Sequence, residues 1–174
     1  MFDPIFAQIQ MKSKSFPHGA YTFSARIRAK TPQVATPVAA DGDHWLSLTT
    51  EGLRIDLLPD GRIKARREIQ DCVGEAVSRD SIKDGWNHLV VTHDLQFLRI
   101  YLNGMLSAEA PVTKPGYQRT HSAPFIGFSQ VEKAKQGKDA VSFTGDIDQV
   151  EIIGTAIDAA SVSNLNKLGQ WMAR

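Results

Sequence analysis

Cysteine is almost absent. Cys72 stands alone among 174 residues, which excludes an intramolecular disulfide and leaves the apolar core to hold the fold. Asp71 and Glu75 lie close to it in sequence and disfavour a thiolate, so it is not read as a nucleophile. No apolar run approaches the roughly 20 residues a bilayer-crossing helix needs. The stretch Met1 to Gln10 lacks a basic start and a continuous apolar segment, so no signal peptide is expected. That leaves a protein kept in the cell or a domain of a longer exported chain. Charge of one sign is missing too: 20 Lys plus Arg balance 19 Asp plus Glu, for a net charge of +1. Such a balance offers no footprint for nucleic acid and no sign of membrane insertion. The five histidines show no spacing that suits zinc. There is no Gly-x-Ser-x-Gly, phosphate loop or dinucleotide fingerprint.

What is present is a series of short alternating segments. Tyr21, Phe23, Ala25 and Ile27 fall on one face and Thr22, Ser24, Arg26 and Arg28 on the other, the period of a half-buried strand. Thr31 to Gly42, with two prolines and small residues, reads as a loop, and a strand is expected around His44 to Thr49. Leu53, Ile55 and Leu57 alternate with Arg54 and Asp56. Pro59-Asp60-Gly61 then turns the chain into a partner strand with Ile63 and Ala65 inward. Lys64, Arg66 and Arg67 are read as its solvated face, and residues 70–85 as irregular.

Trp86 to His93 and Phe97 to Leu102 predict the clearest hairpin. With Leu89, Val91, Leu98, Ile100 and Leu102 inward, the expected register sets Val91 opposite Leu98 and Leu89 opposite Ile100. The turn then falls at Asp94-Leu95, and His88 sits across from Tyr101. Asn103-Gly104 signals a type I′ turn. A plain two-residue loop there would oppose Ser107 to Ile100, so a bulge or a longer loop is expected. Pro124 to Ser129 and Phe143 to Ile153 supply further strands, with a charged surface loop, Val131 to Ala140, between them. Only the end reads as helix, with Asp158 as its cap and Val162, Leu165 and Leu168 at helical spacing. Many short strands and one short helix predict an all-β, two-sheet antiparallel sandwich, a single domain over 1–174 with its core at about residues 20–168.

Several of these segments together resemble the laminin G-like, concanavalin A-like lectin (jelly-roll) family. Tyr21-Thr-Phe-Ser-Ala-Arg-Ile27 is similar to its early strand. Trp86-Asn-His-Leu-Val, followed by Leu98-Arg-Ile-Tyr-Leu-Asn-Gly104, resembles its central hairpin. Phe125-Ile-Gly127 and Phe143-Thr-Gly-Asp-Ile-Asp-Gln-Val-Glu-Ile-Ile153 resemble its later strands, with Gln149 where the family has Glu. The family's opening aromatic-Asp-Gly segment is absent before Tyr21. The resemblance implies a jelly-roll β-sandwich with a short C-terminal helix. It also implies a non-catalytic module that binds a carbohydrate or glycoprotein, often as an accessory to a secreted or surface glycosidase. The location it implies is extracellular or cell-surface. The alternative is a protein-interaction or structural sandwich.

Three sets of site residues follow. Trp86, His88, Arg99 and Tyr101 share the face opposite the core, where aromatic planes suit sugar C–H faces and an arginine can fork onto an acid. Tyr117, Gln118, Arg119 and His121 occupy a Gly/Pro-marked loop of the kind that carries function. Asp146, Asp148 and Glu151 resemble the Glu-x-Asp-x-x-Glu strand of β-glucanases, where two carboxyls cleave a glycosidic bond. Asp146 in place of Glu shortens the nucleophile and argues against that chemistry. No cofactor is expected. A calcium ion, the one alternative, would draw on Asp41, Asp43, Asp146 and Asp148.

Overall fold

A computed structural model describes residues 9–10, 19–42, 51–69, 72–113, 124–127 and 142–172. The expected strand at His44 to Thr49 and loop at Val131 to Ala140 lie outside them. The described elements are strands β1 (Ile9–Gln10), β2 (Tyr21–Ala29), β3 (Thr36–Gly42), β4 (Glu51–Leu57), β5 (Arg62–Ile69), β6 (Cys72–Ser81), β7 (Asn87–His93), β8 (Phe97–Leu102), β9 (Met105–Pro111), β10 (Pro124–Ile126) and β11 (Gly145–Ile153), then helix α1 (Ala159–Met172). They form two antiparallel sheets, one ordered β1-β10-β3-β4-β5-β6 and the other β11-β2-β7-β8-β9. This is a jelly-roll β-sandwich.

The alternating residues meet between the sheets. Phe23, Ala25, Ile27, Leu89, Val91, Leu98 and Ile100 of one sheet pack on Val38, Ala39, Leu53, Ile55, Ile63 and Ala65 of the other. Two segments escape the sequence pattern. Thr36–Gly42 is a strand rather than a loop: β10 and β4 pair with it on either side. Its proline, Pro37, stands at a register shift, where a missing N–H is tolerated. Cys72–Ser81 is likewise a strand, at the sheet edge beside β5. Its inward residues Ala76 and Ser78 are small, so it carries little hydrophobic signal.

The β7–β8 hairpin keeps the expected faces but not the expected register. Val91 pairs with Ile100 and Leu89 with Leu102. The turn lies one residue later, at Leu95-Gln96, because the Asp94 carboxylate accepts from the N–H groups of Gln96 (3.0 Å) and Phe97 (2.7 Å). Leu95 adopts φ 77°. His88 therefore faces Asn103 rather than Tyr101: the Asn103 N–H donates to its carbonyl, and Asn103 Oδ1 accepts its N–H. The Asn103-Gly104 turn has both residues at positive φ, 53° and 84°, as a type I′ turn needs. The expected bulge is present, placing Ala108 opposite Ile100 and Ala110 opposite Leu98.

Asp158 Oδ1 accepts the Ser161 N–H at 2.7 Å and caps α1. The helix lies on the outer face of the five-stranded sheet, where Val162 is fully buried against Val90 and Tyr101. Thr22 and Asn166 tie it down. Thr22 Oγ1 donates to the Thr155 carbonyl and accepts the Ile157 N–H. Asn166 donates to the Asn103 carbonyl, and its own carbonyl accepts from Arg26. Leu168, expected on the apolar face, is instead 63% exposed.

Candidate functional site

The outer face of the five-stranded sheet divides in two. One part lies under α1, and there the expected site residues are closed off. His88 is 5% and Tyr101 4% exposed. His88 Nε2 lies 3.0 Å from Ser24 Oγ. Burial, with the Arg26 charge adding to it, lowers the His88 pKa to about 4. Burial pushes the Tyr101 hydroxyl up. Neither offers an open binding surface, because the helix that the sequence shows as a separate element folds back over them. Arg99 stands apart, forked between Asp94 and Glu109 and stacked over Phe97.

The other part is open. Trp86, just before β7, is 36% exposed. The Arg28 guanidinium lies over its indole, 4.9 Å from the ring centroid, and Arg28 Nε donates to Asp146 at 2.9 Å. Both members of that ion pair are about half exposed, at 52% and 56%. A close backbone approach produces the grouping. Gly145 has φ 152°, and a Cβ there would sit 2.3 Å from the Arg28 carbonyl oxygen. Only glycine lets β11 begin so near β2, and that contact delivers the next residue, Asp146, to Arg28. Arg28 itself escaped attention in the sequence. Its one signal was a place on the polar face of Tyr21–Ala29.

Asp148 and Glu151 continue this edge. Asp146 pairs with Arg28, Asp148 with Arg26 and Glu151 with Ser24. A bulge between Asp148 and Glu151, with Gln149 at φ 51°, restores parity and sets all three acids on the outer face. The Asp148 carboxylate accepts the Gln149 N–H at 2.8 Å, a local turn bond. An arginine and a backbone amide thus occupy two of the three carboxylates. The motif forms an acidic strip beside an aromatic, with hydrogen-bond acceptors facing water.

Of the four acids considered for calcium, Asp41 and Asp146 stand too far apart to share one ion. Asp41 pairs with Leu53, which pairs with Arg67 near Tyr21. Asp146 pairs with Arg28, seven residues further along β2 and so roughly 23 Å away at ~3.3 Å per residue. Asp43 lies outside the described residues, as do Tyr117, Gln118, Arg119 and His121. Among the described residues no three His, Cys, Asp or Glu side chains group as a metal site. No helix there is long and apolar enough to cross a membrane.

Two antiparallel sheets with a terminal helix over one of them define a jelly-roll β-sandwich. Residues 5–163 match the concanavalin A-like lectin/glucanases superfamily in its laminin G type, and the chain belongs to that superfamily. No curated protein matches it. Among solved structures it is similar to a heptameric SAP-like pentraxin from Limulus polyphemus, with TM-score 0.66 and 16% identity over 95% of this chain and 78% of that one. A putative carbohydrate-binding protein from Bacteroides ovatus gives 0.67 and 15% identity over 90% of this chain and 43% of that one. Domain 4 of AbnA, an extracellular GH43 arabinanase from Geobacillus stearothermophilus solved with arabinotriose, gives 0.63 and 18% identity, covering 88% and 68%. At these identities the likeness shows the fold.

Proposed function

We propose that the protein is a non-catalytic, extracellular or cell-surface carbohydrate-binding module, an accessory to a larger hydrolase, and that it binds through the Trp86–Arg28–Asp146 edge. The observation that carries this reading is the exposed indole beside an exposed Arg–Asp pair. An indole gives a flat apolar surface for sugar C–H groups, and the ion pair supplies donors and acceptors for hydroxyls. Similarity in fold to an arabinanase domain solved with arabinotriose and to a putative carbohydrate-binding protein supports the same class of ligand. Because Asp41 and Asp146 stand too far apart to share one ion, binding is expected to survive chelation of calcium.

A glycan array, followed by calorimetric titration of any hit, tests the reading. Trp86→Ala is expected to weaken binding at least tenfold with the fold kept, read as an unchanged far-UV spectrum and a cooperative unfolding transition, the midpoint falling by a few degrees for the part of the ring that is covered. If no glycan binds, with or without calcium, the lectin reading fails. Reducing-sugar release from a β-glucan, lost in Glu151→Gln, would replace it with hydrolysis.

A further inference from the structure

Three polar side chains meet inside the sandwich at the end where β2 begins and β7 finishes. Arg67, expected on a solvated face, points inward from β5 and is only 2% exposed. Its guanidinium lies 5.1 Å from the centroid of the Tyr21 ring. Tyr21, fully buried, stacks on His93 with ring centroids 5.3 Å apart. His93, 1% exposed, sets Nδ1 3.4 Å from the Gly19 carbonyl. Arg67 Nε and Nη1 and His93 Nε2 are buried and have no hydrogen-bond partner among the described residues. Asp94, the carboxylate next to His93, is already taken by Arg99 and by the amides of Gln96 and Phe97.

A guanidinium does not shed its proton at any ordinary pH. Burying it unpaired costs more than one cation–π contact returns. Buried donors left open in a native fold point to an ion or water between them. Water can accept from Arg67 but brings no countercharge.

We propose that this end of the sandwich holds one small monovalent anion, a halide or a carboxylate, bound by the Nε–H and Nη1–H groups of Arg67, with His93 taking up a proton at Nε2 as the third donor. The groups facing His93 are Arg67 from β5, Tyr21 and the Gly19 carbonyl from the β2 side, and Asp94 from the turn after β7. With Nδ1–H donating to Gly19, Nε2 is a lone pair, and burial and the Arg67 charge hold the His93 pKa down to about 4, so the ring takes up its proton only as the anion enters. The site then binds more tightly at pH 5 than at pH 8. It lies at the opposite end of β2 from Arg28 and is independent of the carbohydrate reading.

Thermal unfolding of the full chain in sodium bromide against sodium gluconate, at equal ionic strength, tests this. At pH 5 the midpoint is expected to rise by about 3–5 °C for each tenfold increase in bromide above its Kd, with a weaker response at pH 8. A bromide-soaked crystal is expected to show an anomalous peak within hydrogen-bonding distance of Arg67. Arg67→Met is expected to abolish the response, and His93→Gln to keep a response that no longer depends on pH. Competition by acetate is expected, and competition by glucuronate, a sugar acid as bulky as the gluconate reference, would overturn the proposal of a small-ion site. Equal midpoints in bromide and gluconate, or an undiminished response in Arg67→Met, would overturn the proposal. If Arg67→Met does not fold, absence of the anomalous peak overturns it.

Discussion

His88 makes stability fall with acid in a way that can be worked out beforehand. Its pKa is about 4 in the folded chain, lowered from 6.5 by burial and then by the charge of Arg26. Above pH 6.5 the ring is neutral in both states and contributes no pH dependence. As the pH drops, the unfolded chain takes the proton first, so stability is lost between 6.5 and about 4 and levels off below. Linkage puts the loss at about 2 kcal/mol by pH 5 and about 3 kcal/mol by pH 4. The Arg26 guanidinium that opposes His88 also bonds the Asn166 carbonyl of α1. The first sign of protonation is therefore expected in the helix, as faster amide exchange there than in β7. The assay is urea unfolding from pH 8 to pH 4, in gluconate to keep small anions out, on the parent and on His88→Gln. Gln keeps a group able to bond Ser24 but cannot titrate. The variant is expected to lose about 2 kcal/mol less than the parent between pH 8 and pH 5. Parallel pH profiles for the two proteins would show that His88 titrates normally, and the burial argument would be wrong.

Two other perturbations test how α1 and the hairpin ends are held. Asp158→Ala removes the cap on the Ser161 N–H and is expected to cost about 1 kcal/mol, read as a lower denaturation midpoint with unchanged m-value. Asn87→Ala is expected to cost more, about 2–3 kcal/mol. The fully buried Asn87 accepts from the Lys83 N–H and the Asn103 amide and donates to the carbonyls of Lys83 and Gly85. Equal costs for these two substitutions in chemical denaturation would contradict that ranking.

Strands with bulky inward residues were legible in the sequence, and strands built from small ones were not. Tyr21–Ala29, Leu53 to Leu57 and the hairpin Asn87–Leu102 alternate large apolar with polar side chains, and the large apolar set is the one that meets between the sheets, although much of the polar set is buried too. Thr36–Gly42 offers one larger apolar residue, Val38, beside Ala39 and Ala40, and Cys72–Ser81 holds its place through Ala76 and Ser78, small residues also common in loops. Period 2 fixes which face a residue takes, not its partner. A shift of the β7–β8 turn by one residue changes the pairing by two and leaves every face alone, so only the Asp94 side-chain bonds decide it. The same limit blurred the site. Sequence placed His88 and Tyr101 on the outer face correctly but held no sign that α1 would cover them. The exposed group assembles instead where Gly145 brings Asp146 to Arg28, a contact across 118 residues.

Arg67 shows what a conflict between two sequence signals can mean. Alternation from Ile63 through Ala65 puts Arg67 inward, whereas its charge, beside Arg66, argues for water. The structure follows the alternation. A strand cannot turn one residue outward without a bulge, and the register from Lys64 to Ile69 runs without a shift, so the ladder overrides the preference of one side chain. Replacing the guanidinium with a buried apolar group of similar length would remove the desolvation cost. An arginine kept in an apolar interior against that cost is best understood by what it binds there. The Tyr21 ring accounts for one face of its guanidinium, and the two open N–H groups are where a countercharge would act.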